Sequence, residues 1–257
     1  MKNHTIQKIV LITLLTLSQP SFSEDKFLGP YMGAGISYGQ GVKTGDNIWH
    51  TASLNTSFDI YKNSPYHYDV KAEGLSLGIT AGYNFKFKDQ IIYGLELEHN
   101  QSNNVKDQVN LTLASNAYNN GGCAMDNTAK QNLKAFDSLK MRVGFLPKEN
   151  INIYASLGPA IGKVKTNIIP RYDGTIGGCQ GSAEANDSST EFGYAASLGA
   201  EYLLNNHLAL KAEYTRLDLG DSKLSMFMAS NTSSHDADYK FKNEYDFIKF
   251  GITYYFK

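Results

Sequence analysis

The feature that most constrains the fold of this chain is a period-two alternation of apolar residues with small or polar ones. In residues 75–85 (LSLGITAGYNF), every odd position is apolar and every even position is Ser, Gly, Thr or Asn. Successive side chains of a β-strand point to opposite sides, so this alternation is typical of a strand with two different faces. The sequence therefore predicts an all-β fold whose strands each carry one apolar face.

Seven further segments show the same alternation, and the links between the eight segments alternate in length. Short turns are predicted near 86–90, 147–150 and 205–207, and long polar segments over 40–71, 101–132, 164–190 and 221–242. An even number of strands, with short turns at one end and long loops at the other, is typical of barrels in bacterial outer membranes. We predict an eight-stranded antiparallel up-and-down transmembrane β-barrel over residues 24–257. Its four long loops would be extracellular and its termini periplasmic.

Residues 1–23 have the pattern of a secretory signal peptide. Lys2 and Lys8 precede an apolar run over 9–17, and Ser21 and Ser23 form a small-x-small cleavage site. The apolar run is much shorter than the roughly 20 residues of a spanning helix, although a retained N-terminal anchor is the alternative interpretation. The segment predicts export from the cytoplasm.

The face opposite the apolar one carries charged residues of balanced sign. They are Glu96, Glu98, Lys140, Arg142, Glu201, Lys211, Glu213 and Lys249. Eight strands enclose an interior just wide enough for side chains, and charges are tolerated there when they are paired. If the apolar face contacts lipid, these residues form an interior charge network that fills the lumen. The alternative is a soluble barrel with its apolar face inward and these charges in water.

Aromatic residues gather where the predicted strands meet the short turns. They are Tyr83, Phe85, Phe87, Tyr93, Phe145, Tyr202 and Tyr254. Girdles of aromatic side chains mark the membrane interfaces of transmembrane barrels, so this clustering predicts a girdle at the periplasmic rim.

Short motifs at both ends of the predicted barrel resemble a known class of proteins. The last strand reads Lys249-Phe-Gly251-Ile-Thr-Tyr254-Tyr-Phe256, which resembles the assembly signal of outer-membrane proteins. Residues 29–39 (GPYMGAGISYG) resemble the first strand of the OmpA/OmpX-like family of eight-stranded surface barrels. The resemblance implies insertion into outer-membrane lipid by the barrel-assembly machinery. It also implies a role as an adhesin, a surface antigen, an envelope-stabilising protein or a narrow pore.

Long loops on a rigid scaffold usually carry function, so the predicted loops indicate a surface antigen that contacts a host or environmental ligand. A narrow porin-like channel is the alternative, although eight strands leave no wide aqueous pore. A lipid-modifying outer-membrane enzyme is a third possibility, for which the residues give no support. The net charge of −1 gives no reason to expect binding to nucleic acid.

No catalytic residue, metal site or cofactor is predicted. Of the histidines, His99 alone lies near a strand end beside a carboxylate, and Glu98 and His99 should point to opposite faces. The pair His235 and Asp238 falls in the predicted fourth loop, where such residues are ordinarily solvated.

Two cysteines, Cys123 and Cys179, lie in similar Gly-Gly-Cys settings in the second and third predicted loops. In an exported chain the default expectation is a disulfide, and the alternative is two free thiols. The bridge would close a loop of 56 positions. In the loop-entropy account such a bridge contributes about 4 kcal/mol.

Overall fold

The computed structural model describes residues 26–51, 66–88, 90–113, 124–173, 185–229 and 234–256. These segments form eight strands: β1 (Gly29–Thr51), β2 (Tyr66–Lys88), β3 (Ile91–Leu113), β4 (Ala124–Lys148), β5 (Ile151–Asp173), β6 (Ala185–Leu203), β7 (Leu208–Ala229) and β8 (Ser234–Tyr255). Each strand is antiparallel to its chain neighbours, and β1 pairs with β8, so the sheet closes. The predicted eight-stranded up-and-down barrel is confirmed. Within the described segments, no helix is long and apolar enough to cross a bilayer.

The alternation directs large apolar side chains to the outside of the barrel. Ile79 on β2 is 59% exposed, and Met141 on β4 is 72% exposed. Comparable side chains lie on all eight strands and form a continuous outer surface, which we call the apolar band. The alternative of a soluble barrel with its apolar face inward is therefore wrong.

The strands are longer than the alternation predicted. The predicted loop bounds were wrong, because β1 continues to Thr51 and β2 begins at Tyr66 within the first of these segments. The other three predicted loops are shortened in the same way, and β8 includes His235 and Asp238. Apolar alternation marks only the part of a strand that faces lipid. Beyond it the outward residues are mostly polar, whereas inward residues such as Val105, Leu133 and Val164 are apolar, and the backbone ladder continues without an apolar outward face.

Several predictions fall on segments that the structure does not describe. The signal peptide, Cys123 and Cys179 lie outside the described residues, as do the connections over 52–65, 114–123, 174–184 and 230–233. The three predicted short turns are tight links, each of four residues or fewer between one strand and the next.

The lumen is filled in layers along the barrel axis. Near the short turns a lower apolar layer contains Phe27, Tyr31, Ile92, Leu203, Ala209 and Tyr255. Toward the other end an upper apolar layer contains Ala72, Val105, Leu133, Phe136, Ala160, Val164, Ala195, Leu217, Leu219, Tyr245 and Phe247. Along β8, Tyr255, Lys249 and Phe247 face inward in that order, so the charged positions lie between the two layers.

The aromatic side chains predicted as a girdle lie at the short-turn end of the barrel. The rings of Phe85 and Tyr93 stack across β2 and β3 with centroids 5.1 Å apart. Tyr83 lies 4.5 Å from Phe85, and the ring of Tyr254 stacks on His207. Amphipathic rings of this kind are suited to the border between hydrocarbon and water.

Candidate functional site

The structure places all eight predicted interior charges inside the lumen. Six of them are fully or almost fully buried, and the side chains of Lys211 and Lys249 are only 10% exposed. They come from β3, β4, β6, β7 and β8, at inward positions that the strand pairing brings to one level. We call this group the charge network.

Lys140 lies at the centre of the charge network. Its Nζ lies 2.7 Å from Glu98, 3.0 Å from Glu96 and 3.4 Å from Glu213. One ammonium group therefore contacts three carboxylates, which would repel one another strongly in the low dielectric of the interior without it.

Two further lysines complete the pairing of these carboxylates. Lys211 bridges Glu96 at 3.2 Å and Glu213 at 3.0 Å. Lys249 pairs with Glu98 and lies 3.4 Å from Glu213. Each of the three carboxylates therefore contacts at least two cationic side chains.

Arg142 holds the side of the charge network that is closer to the short turns. Its guanidinium pairs with Glu201, lies 3.6 Å from Glu96, and stacks with its centre 3.6 Å from the centroid of the Tyr154 ring. Guanidinium groups suit such a position because they combine planar stacking with several hydrogen-bond donors.

Three buried tyrosines that sequence reasoning did not assign to the site also belong to the charge network. Tyr31 donates to Glu96 at 3.0 Å, Tyr154 donates to Glu213 at 2.6 Å, and Tyr255 donates to Glu201 at 2.9 Å. The alternation of side chains along a strand could have identified them. Each tyrosine is adjacent to an outward apolar residue and therefore points into the lumen.

The charge network is a closed structure that leaves little room for a ligand. Glu96, Glu98 and Glu213 come close enough for a shared cation, but the Lys140 ammonium already lies among them. A cavity of about 30 Å³ beside Lys211 and Lys249 has room for water only. The four carboxylates and four cations balance, so the arrangement can hold the strands together and block the lumen.

The region above the charge network is also packed. Tyr245 is fully buried in the upper apolar layer, where burial raises the pKa of its phenol, so this group stays neutral. Above that layer Gln131 on β4 donates to Asn243 on β8 at 2.7 Å across the lumen. The closure therefore extends beyond the charged level.

His99 and Glu98 point to opposite faces, as the alternation required. Glu98 is buried in the charge network, and His99 lies outside, where its Nδ1 is 2.7 Å from Asp137 on β4. The partner lies on a different strand 38 positions away, so the sequence alone gave no sign of it. In the described segments, no hydroxyl or thiol side chain makes a hydrogen bond to either member of this pair.

The residues of the assembly-signal motif divide between the two faces of β8. Lys249 belongs to the charge network, and Gly251 faces inward against Gly35, where a Cβ would lie 2.6 Å from the Ala34 carbonyl oxygen. Tyr254 and Phe256 face outward at the short-turn rim. The motif thus combines a glycine that allows close packing inside the barrel with two aromatic side chains on the outer surface at the short-turn rim.

The sequence and the fold are similar to those of known outer-membrane proteins. Residues 9–256 match the family model described as "Outer membrane protein beta-barrel domain". The chain is 27% identical over 223 residues to the "31 kDa outer-membrane immunogenic protein" of Brucella melitensis and of Brucella suis, which covers 83% of each chain. Among solved structures, the outer membrane protein OprG from Pseudomonas aeruginosa aligns with a TM-score of 0.51 at 16% identity. The alignment covers 89% of this chain and 97% of OprG.

Proposed function

Because this chain belongs to the outer-membrane protein β-barrel domain family and lies in the bacterial outer membrane, we propose that it is a closed surface barrel. In this proposal the membrane-embedded half is a plugged anchor. The extended strands and the loops that join them form an antigenic surface outside the cell.

The observation that carries the proposal is the length of the barrel beyond its apolar band. On β4 the last lipid-facing apolar residue is Leu139, whereas the strand begins at Ala124. Residues 124–138 of a tilted strand extend roughly 35 Å past the apolar band. An anchor alone does not require so much structure outside the bilayer.

The positions of the turns and termini support the orientation. The tight turns lie at the aromatic end of the barrel, and so do both ends of the sheet, where Tyr31 pairs with Tyr255. Short turns and termini face the periplasm in bacterial barrels, so the extended strands would face outward. The name of the Brucella relatives, an immunogenic outer-membrane protein, agrees with a surface that antibodies reach.

The filled lumen argues against the narrow-channel alternative. Ions crossing the barrel would have to displace two apolar layers and break ion pairs such as Lys140–Glu98.

We also infer that the protein is not an enzyme. The outward pair His99–Asp137 has no nucleophile hydrogen-bonded to it in the described segments, and a base without one lacks the usual arrangement for covalent catalysis.

Epitope insertion on intact cells tests the proposal. A short epitope placed between Asp173 and Ala185 should bind antibody without permeabilisation, because it lies at the extended end. The matched control carries the same epitope in the 204–207 turn and should be labelled only after permeabilisation. Labelling of the second variant alone on intact cells would reverse the orientation and contradict the proposal.

A loop-mediated adhesive role is the finer form of the same proposal. It predicts that replacing 52–65, 114–123 and 174–184 with short Gly-Ser linkers abolishes binding to host cells or matrix. The barrel should still fold, because its ladder and core lie elsewhere. Unchanged binding by the shortened protein would rule out the adhesive role and leave the surface-antigen role intact.

A further inference from the structure

One wall of the barrel carries a cluster of lysines beyond the apolar band. Lys106, Lys130, Lys134, Lys163 and Lys165 lie on β3, β4 and β5, and we call them the lysine patch. Four of them surround Asn132, because Lys106 and Lys165 are its register partners on either side and Lys130 and Lys134 lie two residues away along β4. From strand spacing, these four positions span roughly 10 by 13 Å.

These side chains face outward and not into the lumen. Val105, Leu133 and Val164 beside them are fully buried in the upper apolar layer, so the alternating neighbours point away from the core. A groove of about 490 Å³ is lined by Lys106, Lys130, Lys134, Lys165, Gln131, Asn132 and Asn167. With its amide turned to the hydrogen-bonded orientation, Asn132 accepts a hydrogen bond from Lys134 Nζ at 3.0 Å.

The charge of the lysine patch is not balanced by nearby acids. None of the five lysines makes an ion pair with any residue in the described ranges. Two acidic groups near this wall have described side chains that are already engaged, since Glu73 accepts a hydrogen bond from Tyr38 at 2.8 Å and Asp137 contacts His99. A concentration of positive charge is unexpected in a chain whose net charge is −1.

On the opposite wall, formed by β7 and β8, cationic side chains make ion pairs with carboxylates. Arg216 on β7 pairs with Asp246 at 2.7 Å and with Glu244, both on β8. Lys240 pairs with Asp221 at 2.8 Å. Lys223 and Lys242 on this wall have no ion pair among the described side chains, but they share the surface with the carboxylates of Asp221, Glu244 and Asp246. The lysine patch has no such carboxylates among its members.

The distance between the lysine patch and the apolar band indicates which part of a lipid would contact the lysines. On β5, Ile161 ends the continuous run of apolar outward residues, and Lys163 and Lys165 occupy the next two outward positions. Two to four residues along a tilted strand correspond to roughly 5–10 Å, so Lys163 and Lys165 lie at the depth of the headgroup layer outside the hydrocarbon. Lys106 and Lys130 lie nine residues beyond Leu97 and Leu139, respectively, so they lie farther from the hydrocarbon. Below the headgroup layer, Leu97, Leu139 and Leu157 present exposed apolar side chains to acyl chains.

We propose that the lysine patch binds the phosphate groups of a phosphorylated glycolipid in the outer leaflet, whose acyl chains lie on the apolar band of β3–β5. Several ammonium groups spread over this area match a headgroup that carries more than one phosphate. Lysine binds phosphate as a point charge, so the contact would not require the fixed geometry of arginine. The assignment to the outer leaflet rests on the orientation proposed above. The binding of a phosphorylated lipid does not depend on that orientation.

The test uses the full-length folded protein in phosphatidylcholine nanodiscs that contain lipid A or lipid A with its phosphates removed. Retained lipid is counted by native mass spectrometry. The variant Lys163→Gln/Lys165→Gln should retain at least about tenfold less lipid A than the unmodified protein, as expected for two lysines near an anionic surface. Added salt should weaken retention, because exposed charges are screened.

Matched variants separate the lysine patch from general charge. Lys223→Gln/Lys242→Gln removes two exposed lysines from the opposite wall and should leave lipid A retention unchanged. Lys163→Arg/Lys165→Arg keeps both charges and should retain as much lipid A as the unmodified protein. Heat-dependent gel mobility verifies folding of every variant. Equal loss in the opposite-wall control, or equal retention of phosphate-free lipid A, would overturn the proposal. Binding of a soluble sulfated glycan without lipid A retention would also overturn it, in favour of a carbohydrate ligand.

Discussion

The charge network makes a sharp prediction about Lys140. This side chain is fully buried and contacts three carboxylates at 2.7, 3.0 and 3.4 Å. Replacing it with Met keeps most of its volume and removes the charge. The interior would then hold four carboxylates against three cations. Glu98 would keep Lys249 as its one cationic contact and the hydrogen bond that it accepts from Asn100 at 2.8 Å.

The expected cost follows from the loss of one partner in a buried ion-pair network. Breaking such a pair leaves an uncompensated charge and destabilises by about 3–5 kcal/mol. The remaining contacts of Lys211 and Lys249 place Lys140→Met toward the lower end of that range. Removing a charge of each sign, in Lys140→Met/Glu98→Gln, restores the balance, and we expect it to recover about 1–2 kcal/mol.

Equilibrium unfolding in urea, with the protein folded in lipid vesicles, measures these differences. The matched control is Lys223→Met, because Lys223 is exposed on β7, and we expect its unfolding free energy to change by less than about 0.5 kcal/mol. The reasoning would be refuted if Lys140→Met cost no more than Lys223→Met. It would also be refuted if the double variant were less stable than the single one.

Three further predictions concern packing, the cysteines and assembly. Gly82→Ala should lower stability by about 1–3 kcal/mol in the same unfolding assay, because its Cβ would lie 2.3 Å from the Tyr31 ring and 2.6 Å from a backbone oxygen. If Cys123 and Cys179 form a disulfide, reduction should change gel mobility and the double Ser variant should lose up to about 4 kcal/mol; identical behaviour of reduced and oxidised protein would indicate free thiols. Phe256→Ala should slow the appearance of heat-resistant folded protein in outer membranes while refolding in detergent stays normal, and equal slowing in both would assign the residue to folding alone.

The sequence predicted the strand number and the membrane-facing side because lipid imposes a strict alternation there. Every strand that faces hydrocarbon must show apolar residues at every second position, and residues 75–85 do so without exception. The same parity placed residues such as Glu98 and Lys140 inside before any contact was known.

The strand ends could not be predicted in the same way. Above the apolar band an outward side chain meets water, so polar residues such as Lys165 and Ser188 occupy outward positions of paired strands. The apolar outward face that marks a membrane-spanning strand is therefore lost. Backbone hydrogen bonds hold the sheet together there. Because these bonds do not depend on the identity of the side chains, they leave no pattern in the sequence. A polar segment therefore looks like a loop even where the ladder continues.

Contacts between distant strands were also beyond the sequence. The pair His99–Asp137 and the cluster around Asn132 depend on register, and the irregularities between Gln101 and Val105 and between Leu133 and Ala135 shift that register. Such shifts have no clear signature in composition. The lysine patch likewise depends on the pairing of β3, β4 and β5, which brings together lysines that are distant in the sequence.

Ion conductance in planar bilayers tests the central claim, that the barrel is closed, most directly. The account predicts no discrete conductance steps from the folded protein, because two apolar layers and the charge network fill the lumen. Stable steps that change in size or ion selectivity in Arg142→Ala would show an open path through the charge network. That result would contradict the account.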